Sequence, residues 1–421
     1  MAVRRRAGAW RARALAVVVL VTLAALGAAC SSNQAARVTR PAPTTTSTAP
    51  VTTVPTTTLP SAVPTTVPTP VVPVVGWSTP TTTLPPAGGF TGTSCISDVF
   101  CLATGGGANE ADAALSTGPG VVASWDGATW APSQTYFAAP VTGPTTAPEL
   151  PAIACTDGPR CIVVDGSGHT ASGDGTTWTA PVPLGPAPVA AADPADPGPD
   201  HAGSRSAAVA CPTSTFCAYV DNTGHVATLR GSSWSPTQAL TTRQGGTTVE
   251  LYQSGRVGIS CTGPSACTAV VGTTTLDWDG SSWTTGPGPW PAGTTGDTAV
   301  SCPAAGTCLA VRGTSVSLRV AGSGWSAPRV IDPNGGLDAL ACPTTGFCMA
   351  ADRFGNVVHL TGGSWSAPTK VVPTPVDYAG DGTTLSCPND QFCLVLNGDG
   401  DYATYEGPDA TGAFDPVVPI S

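Results

Sequence analysis

Beyond residue 90, hydrophobic residues fall in short runs separated by clusters of glycine, proline, asparagine and aspartate. Such runs, bounded by turn-forming residues, are typical of β-strands joined by hairpins. No stretch after residue 90 has the 3.6-residue period of an amphipathic helix. The pattern therefore predicts an all-β protein made of short strands.

One stretch shows the unit most clearly. Residues 337–342 and 347–351 read as two strands joined by a five-residue turn that contains Pro343. An Asp-x-x-Gly turn then leads to a third strand over residues 356–361, and a glycine-rich turn leads to a fourth strand around Trp365. We expect four antiparallel strands in each such unit.

Two cysteines separated by five residues recur seven times, at a period of 40 to 60 residues. The pairs are Cys95 and Cys101, Cys155 and Cys161, Cys211 and Cys217, Cys261 and Cys267, Cys302 and Cys308, Cys342 and Cys348, and Cys387 and Cys393. A sequence motif that recurs at this period indicates a repeat architecture. An aromatic residue follows each pair, 22 or 23 residues after the first cysteine in five of the seven copies. These residues are Trp130, Trp178, Trp234, Trp283, Trp325, Trp365 and, in the seventh copy, Phe414.

Seven units of four antiparallel strands predict a seven-bladed β-propeller over residues 75–421, with one Cys-x5-Cys disulfide in each blade. A linear solenoid is the alternative, but 40 to 45 residues per four-stranded unit favours blades. We expect the tryptophans to pack between neighbouring blades. Zinc is a poor alternative to the disulfides, because four histidines cannot serve seven cysteine pairs.

The length of the chain between one aromatic residue and the next cysteine pair varies. In a propeller, these connections share one face with the turns between the second and third strands. We therefore expect residues 104–120, 187–206 and 241–257 to form a variable face that binds a protein or carbohydrate ligand, since binding residues concentrate on loops held by a rigid scaffold.

Two segments compete for the outer strand of the seventh blade. The sequence around Trp77 copies the fourth-strand motif before any cysteine pair occurs, and the sequence around Phe414 follows the last pair. We favour Phe414, because a local hairpin costs less loop entropy than a strand brought from the N-terminus.

The N-terminus carries five arginines, then a mostly apolar run over residues 14–29 that ends in small residues before Cys30. This resembles the signal peptide and lipobox of bacterial lipoproteins. The resemblance implies removal of residues 1–29 and lipidation of Cys30, which is the only cysteine outside the seven pairs. Fourteen paired cysteines also require an oxidising compartment. We expect an extracytoplasmic protein attached to the cell membrane by its lipid alone.

Residues 30–40 form the expected lipidated N-terminus, and residues 41–74 a disordered stalk. Residues 41–73 contain nine prolines and twelve threonines and no aromatic or charged residue. Such a segment cannot bury a core and favours extended polyproline II structure. Loss of the five N-terminal arginines leaves twelve basic and 27 acidic residues, a net charge of −15. This charge disfavours nucleic acid and anionic membrane surfaces as partners.

Candidate catalytic chemistry is sparse, and we expect no cofactor or metal. The four histidines (His169, His201, His225 and His359) read as turn or surface residues, because none stands beside a nucleophile in a recognisable motif. Asp165, Asp221, Asp352 and Asn397 align four residues after the second cysteine, where Asx side chains cap turns. The run from Asn397 to Asp401 alternates oxygen ligands like a calcium loop but lacks the glycine and glutamate of that motif.

The turn from Ser172 to Trp178 resembles the Asp-box of sialidase-like propellers, as do the Asp-Gly turns at Asp126 and Asp279. More broadly, the chain resembles the secreted, disulfide-linked propeller repeats of high-GC bacteria. The resemblance implies a fold and a location, and the Asp-box itself is a structural turn without catalytic activity.

Glu250, Tyr252 and Arg256 form the one suggestive cluster, on a variable connection. The favoured prediction is a non-catalytic binding or scaffold module at the cell surface. The alternative is a glycan-active hydrolase or lyase that uses this cluster.

Overall fold

A computed structural model describes residues 77–78, 81–82, 89–106, 120–131, 134–135, 149–156, 158, 160–165, 168–184, 205–244, 247–253, 255–374 and 382–407. All of them belong to one compact unit over residues 67–421. Cys30, the predicted stalk, His201 and Phe414 lie outside the described residues. No helix within the described ranges is long and apolar enough to cross a membrane.

The unit is a seven-bladed β-propeller, as the repeats predicted. Strands are given from the innermost to the outermost. Blade 1 contains Phe90–Ser97, Phe100–Gly106, Gly120–Trp125 and Gln134–Thr135. Blade 2 contains Ala152–Cys155, Cys161–Val164, His169–Gly173 and Val182–Pro183. Blade 3 contains Arg205–Thr213, Phe216–Asp221, His225–Arg230 and an outer strand in two pieces, Ser233–Trp234 and Gln238–Ala239. Blade 4 contains Gly258–Gly263, Ala266–Val271, Thr274–Trp278 and Trp283–Pro287.

Blade 5 contains Ala299–Ala304, Thr307–Arg312, Ser315–Arg319 and Arg329–Val330. Blade 6 contains Leu337–Thr344, Phe347–Asp352, Asn356–Thr361 and the two outer pieces Ser364–Trp365 and Thr369–Lys370. Blade 7 contains Thr383–Ser386, Phe392–Asn397, Asp401–Glu406 and, from the N-terminal side of the chain, Thr81–Thr82. Two short pieces are additional: the hairpin Thr241–Gln244 with Thr247–Glu250, and Glu149–Leu150, which pairs in parallel with the start of blade 3.

Every predicted cysteine pair is a disulfide that joins the first two strands of its blade, so the predicted pairing is confirmed. From blade 1 to blade 7, the bonds join Cys95 to Cys101, Cys155 to Cys161, Cys211 to Cys217, Cys261 to Cys267, Cys302 to Cys308, Cys342 to Cys348, and Cys387 to Cys393. In each bond the two α-carbons are only 4.0 or 4.1 Å apart, because the cysteines face each other across a hairpin.

In blade 6, the unit from which it was predicted, the five-residue turn between the cysteines is wrong. In blade 6 the first strand continues to Thr344, which pairs with Phe347 across a tight two-residue turn. A shift of register between Ala341 and Thr344 absorbs the extra residue. The disulfide therefore links residues within a bulged hairpin.

The predicted packing of the tryptophans between blades is confirmed. Trp283 of blade 4 belongs to one buried cluster with Phe216 of blade 3. Trp130 of blade 1 likewise packs with Leu394 of blade 7. Each tryptophan thus contributes to the apolar layer between its own blade and the preceding one.

The preference for Phe414 in closing the seventh blade is corrected. Thr81–Thr82 pairs with Tyr402 and Asp401 of the third strand of blade 7, and Trp77 forms a bridge with Tyr405. Trp77 is buried in a cluster with Met349 of blade 6. The N-terminal segment therefore supplies the outer strand of blade 7, and Trp77 takes the place that the other blades give to their tryptophan.

A serine placed one residue before the first cysteine links a blade to the next one. Its hydroxyl oxygen accepts the backbone N–H of the next blade's first cysteine. The pairs are Ser94 with Cys155, Ser260 with Cys302 and Ser301 with Cys342, each at 2.9 Å, and Ser386 with Cys95 at 2.8 Å. The last pair joins blade 7 to blade 1 and closes the ring.

Candidate functional site

The loops divide between two faces as the repeats predicted. Asn222, in the turn between the second and third strands of blade 3, donates from Nδ2 to the carbonyl oxygen of Gln253 on the connection to blade 4, at 3.1 Å. On the other side, Trp125 Nε1 donates to the Asp98 carbonyl in the cysteine hairpin of blade 1, at 2.9 Å. We call these the variable face and the disulfide face.

A buried carboxylate or amide caps the turn between the second and third strands in four blades. In each case its Oδ1 accepts the N–H of the residue four positions later, at 2.7 to 2.9 Å. The caps are Asp165, Asp221, Asp352 and Asn397. The glycine just before the residue that donates this N–H has φ between 79° and 89°, which only glycine adopts without strain. The predicted structural role is confirmed.

Two of the histidines stand beside these caps. His169 Nδ1 lies 3.1 Å from Asp165 Oδ2, and His225 Nδ1 lies 3.3 Å from Asp221 Oδ2. The His169 imidazole is thus held by the carboxylate of its own turn, whereas His225 Nδ1 lies closer to Thr223 Oγ1, at 2.8 Å. His359 lies in the third strand of blade 6, where burial lowers its pKa.

The innermost strands enclose a central channel with a cavity of about 180 Å³. Its walls are mostly small or apolar, with threonines at several positions. Two charged side chains also line it, Arg256 just before the innermost strand of blade 4 and Asp338 near the start of that of blade 6. Because the innermost strands begin at the variable face, both residues lie at that mouth of the channel.

Asp338 is the most strongly perturbed of these groups. Burial raises the pKa of its carboxyl to about 8, and nearby Asp297 adds to the rise, while Arg256 and Arg353 oppose it. Thr383 of blade 7 donates its N–H to Asp338 Oδ2 at 3.3 Å. Asp338 is therefore mostly protonated at neutral pH. A carboxyl so perturbed at a cavity marks a candidate functional site.

Asp297 connects the two arginines of this mouth. Its Oδ1 accepts the backbone N–H of Arg256 at 2.7 Å, and its Oδ2 lies 4.0 Å from Arg353 Nη2. Arg353 is half-exposed. We call Arg256, Asp297, Asp338, Arg353 and Thr383 the mouth cluster.

A buried network supports the cluster from the side of blade 5. Arg312 donates to Gln253 Oε1 at 2.6 Å and to Thr298 Oγ1 at 2.8 Å, and its guanidinium lies over the ring of Trp290. Burial lowers the pKa of Arg312 to about 10. Thr298 in turn donates its N–H to the carbonyl of Arg256 at 2.9 Å, so the network fixes the backbone that carries Arg256.

The predicted cluster of Glu250, Tyr252 and Arg256 is only partly described. Glu250 ends the additional hairpin, where its backbone pairs with Thr241, and its side chain lies outside the description. Tyr252 is half-buried, and Arg256 reaches the channel mouth. Their joint role as a site remains a prediction.

Sequence reasoning missed Asp297, Asp338 and Arg353. A signal was available for Asp338, which stands four residues before the first cysteine of its blade. The other blades carry an uncharged residue there, such as Thr298 in blade 5 and Thr383 in blade 7. A charge at a repeat position that lines the channel could have been recognised.

Metal binding finds no support within the described ranges, where no three His, Cys, Asp or Glu side chains are grouped to hold an ion. In the calcium-like run, Asn397 Nδ2 donates to Asp401 Oδ2 at 3.1 Å, and Asn397 Oδ1 accepts the N–H of Asp401. These atoms serve the turn itself.

On the disulfide face, the exposed Asp126, Asp174 and Asp279 hold the turns before the tryptophans. In each turn Oδ1 accepts two backbone N–H groups at 2.7 to 2.9 Å. These bonds, first of all to backbone N–H groups, lower the pKa of all three carboxyls, that of Asp279 to about 2.

No protein-family model and no curated protein matches this chain. Among solved structures, YCF48 bound to D1 peptide matches with a TM-score of 0.51 at 13% identity, over 80% of this chain and 99% of the other. A catalytically inactive virginiamycin B lyase from Staphylococcus aureus with quinupristin matches with a TM-score of 0.50 at 10% identity, over 78% of this chain and 98% of the other. At these identities the likeness shows the fold alone.

Proposed function

We propose that this protein is an extracytoplasmic, non-catalytic module that binds a protein or carbohydrate ligand on its variable face. Its seven disulfides indicate an oxidising location. In the proposal, lipidation of Cys30 holds it at the membrane, and residues 41–74 separate the propeller from that anchor.

One observation carries the proposal: the mouth cluster places Arg256 and Asp338 in the wall of a cavity, with Asp297 and Arg353 beside them, at one face of a rigid ring. Convergent polar groups at a concave site mark binding sites. The buried Arg312 network fixes the position of Arg256, and the Ser–Cys bonds link blades of the ring, so the site is preorganised for a ligand.

The fold is compatible with more than one activity. YCF48 has been solved with a peptide bound, whereas virginiamycin B lyase is an enzyme. The non-catalytic reading is supported by the histidines at Asp165 and Asp221, which are engaged in holding their turns. The hydrolase or lyase alternative requires Glu250 and Tyr252 to join Arg256 at the mouth. We also keep the proposed resemblance to Asp-box propellers. It is supported by the turns before the tryptophans, which Asp126, Asp174 and Asp279 cap.

A pair of charge reversals tests the proposal. The full chain, purified in detergent, would be applied to glycan and peptide arrays as wild type, Arg353→Glu and Arg329→Glu. Arg353 lies at the mouth, whereas Arg329 is exposed on the outer strand of blade 5. We expect Arg353→Glu to lose at least tenfold in affinity for the ligand found and Arg329→Glu to retain it. Equal binding by both variants would place the site elsewhere, and turnover of glycosides that is lost in Glu250→Gln would favour the enzyme.

A further inference from the structure

Two buried polar atoms at the channel mouth have no hydrogen-bond partner among the described residues. They are Oδ1 of Asp338 and Oγ1 of Thr383. Asp338 is 5% exposed and Thr383 is fully buried, and both line the channel cavity at the same level of neighbouring blades. Buried polar groups are normally paired, so two unpaired ones in one cavity wall point to a missing partner.

Arg256 reaches the same place from the other side of the channel. A methyl group placed on the α-carbon of Gly382 would collide with Asp338 Oδ2 and lie 3.1 Å from Arg256 Nη1. The guanidinium and the carboxyl group thus meet beside Gly382, and only glycine leaves this space open. Thr383, which carries the unpaired hydroxyl, directly follows Gly382 in the chain.

The charges favour an anion over a cation or a neutral group. Asp297 lies beside the Arg353 guanidinium and accepts the backbone N–H of Arg256. The mouth cluster thus carries two guanidinium charges, of Arg256 and Arg353, against the one carboxylate of Asp297. Asp338 does not add a second negative charge at neutral pH, because burial raises its pKa to about 8. The mouth is therefore locally positive in a chain whose net charge is −10.

The unpaired atoms agree with the charges. A protonated carboxyl and a threonine hydroxyl can both donate a hydrogen bond, and a guanidinium can only donate. Such a set is complementary to the oxygens of a carboxylate, whose planar geometry also matches the fork of arginine. A cavity of about 180 Å³ is smaller than the roughly 300 to 1,000 Å³ of drug-sized sites, so it suits one terminal group.

We infer that Asp338, Thr383 and Arg256 form a binding site for the carboxylate of an anionic ligand at the variable-face mouth of the channel. The inference rests on the proposed function and specifies the chemistry of its ligand. Two sources share this chemistry, the C-terminus of a peptide and an acidic sugar.

Matched small molecules separate the two sources. The full chain in detergent would be titrated by calorimetry and saturation-transfer NMR with N-acetylalanine against its amide, and with glucuronate against glucose. Binding of either acid, at least tenfold tighter than its neutral partner, is expected, and the acid that binds identifies the source. Equal binding of acid and neutral partner, binding of neither acid, or equally tight binding of sulfate would overturn the inference.

Substitutions assign the binding to the three side chains. We expect Thr383→Val, Arg256→Gln and Asp338→Leu each to weaken binding of the acid at least tenfold. Thr284→Val, at an exposed position of the outer strand of blade 4, should leave it unchanged. Unchanged binding in all three mouth variants would overturn the inference. The proposed function would still stand if Arg353→Glu abolished binding of the array ligand.

Measuring the affinity for the acid as a function of pH distinguishes a role of Asp338 in binding from a mere loss of folding. The groups that face Asp338 are Arg256, Asp297, Arg353 and the N–H of Thr383. When Asp338 ionises above about pH 8, its carboxyl group stops donating a hydrogen bond and becomes a negative charge that repels the ligand carboxylate. The affinity of the wild type for the acid should therefore fall between about pH 7 and pH 9. Asp338→Asn keeps a donor that does not ionise, so this variant should bind the acid with no such fall. Parallel pH profiles of the two proteins would contradict the assigned role of Asp338.

Discussion

At the scale of single residues, four boundaries between neighbouring blades each contain a hydrogen bond to a serine hydroxyl. Ser260 accepts the N–H of Cys302 across the boundary between blades 4 and 5. Alanine occupies the same repeat position in blades 2, 3 and 6, at Ala154, Ala210 and Ala341. The bond therefore strengthens some boundaries of the ring and is dispensable at others.

Ser260→Ala should lower the free energy of unfolding by about 1 to 2 kcal/mol, because it leaves a partly buried N–H without its acceptor. Urea-induced unfolding of the full chain would measure this loss. Ser232→Ala, in an exposed turn, is the control and should change stability by less than about 0.5 kcal/mol. Equal losses in the two variants would show that the bond between blades contributes nothing.

Asp338 makes stability depend on pH in an unusual direction. Its pKa is about 8 in the folded protein, whereas its ordinary value of 3.8 applies to the unfolded chain. Between these values the folded state holds a proton that the unfolded state has lost, so stability falls as pH rises from about 4 to 8. The full loss is present above pH 8 and is on the order of 5 kcal/mol.

Asp338→Asn removes this titration. Urea unfolding measured from pH 4 to pH 9 should show the variant gaining stability relative to wild type as pH rises, with the difference levelling off above pH 8. The difference between the two curves isolates Asp338 from the other titrating groups. A difference that stays constant over the whole range would mean that Asp338 is ionised throughout in the folded protein.

At the scale of elements, closure of the ring is decided by burial of a side chain. The preference for Phe414 relied on loop entropy, which rises by only about 0.6 kcal/mol for each doubling of loop length. Burial of a tryptophan contributes about 3 to 5 kcal/mol, judged from truncation to alanine. Trp77 is 4% exposed against blades 6 and 7, so its burial outweighs the longer loop.

Trp77→Ala should therefore destabilise the propeller by about 3 to 5 kcal/mol, because it empties the layer between blades 6 and 7. Phe414→Ala should cost less than about 1 kcal/mol, since Trp77 already occupies that place. Chemical denaturation of both variants measures the contrast. A larger loss of unfolding free energy for Phe414→Ala than for Trp77→Ala would indicate that the C-terminal segment supplies the outer strand of blade 7.

The repeated spacings predicted the blades, the seven disulfides and the packing of the tryptophans, because each is a local property that recurs seven times. The form of the cysteine turn could not be derived, since five intervening residues fit either an open loop or a bulged hairpin. The mouth cluster was also hidden. Arg256, Asp338 and Thr383 come from three blades and meet only because the innermost strands surround one channel.

At the scale of the whole molecule, seven short disulfides act on seven separate hairpins. Each disulfide lowers the conformational entropy of the unfolded chain. For a loop this short, that raises the free energy of unfolding by roughly 2 kcal/mol. Their combined contribution suits an extracytoplasmic protein with only 10% charged residues. None of them crosses from one blade to another, so the contacts between blades must hold the ring together.

The proposed anchor is tested by Cys30→Ala. Without the thiol, lipidation cannot occur, and the protein should accumulate as an uncleaved precursor or appear in the medium. Cell fractionation and intact-mass analysis of the N-terminus would show either result. Ser31→Ala provides a neighbouring control that should remain lipidated. If Cys30→Ala is processed and partitions like wild type, the lipobox is excluded.

Ligand binding at the variable-face mouth of the channel can be tested by site-specific crosslinking in living cells. A photo-crosslinking side chain would be placed at position 353 beside the mouth and, in a second strain, at position 329 on the outer strand of blade 5. We expect a covalent adduct with a protein or glycan from position 353 and none from position 329. An adduct from position 329 alone would contradict it.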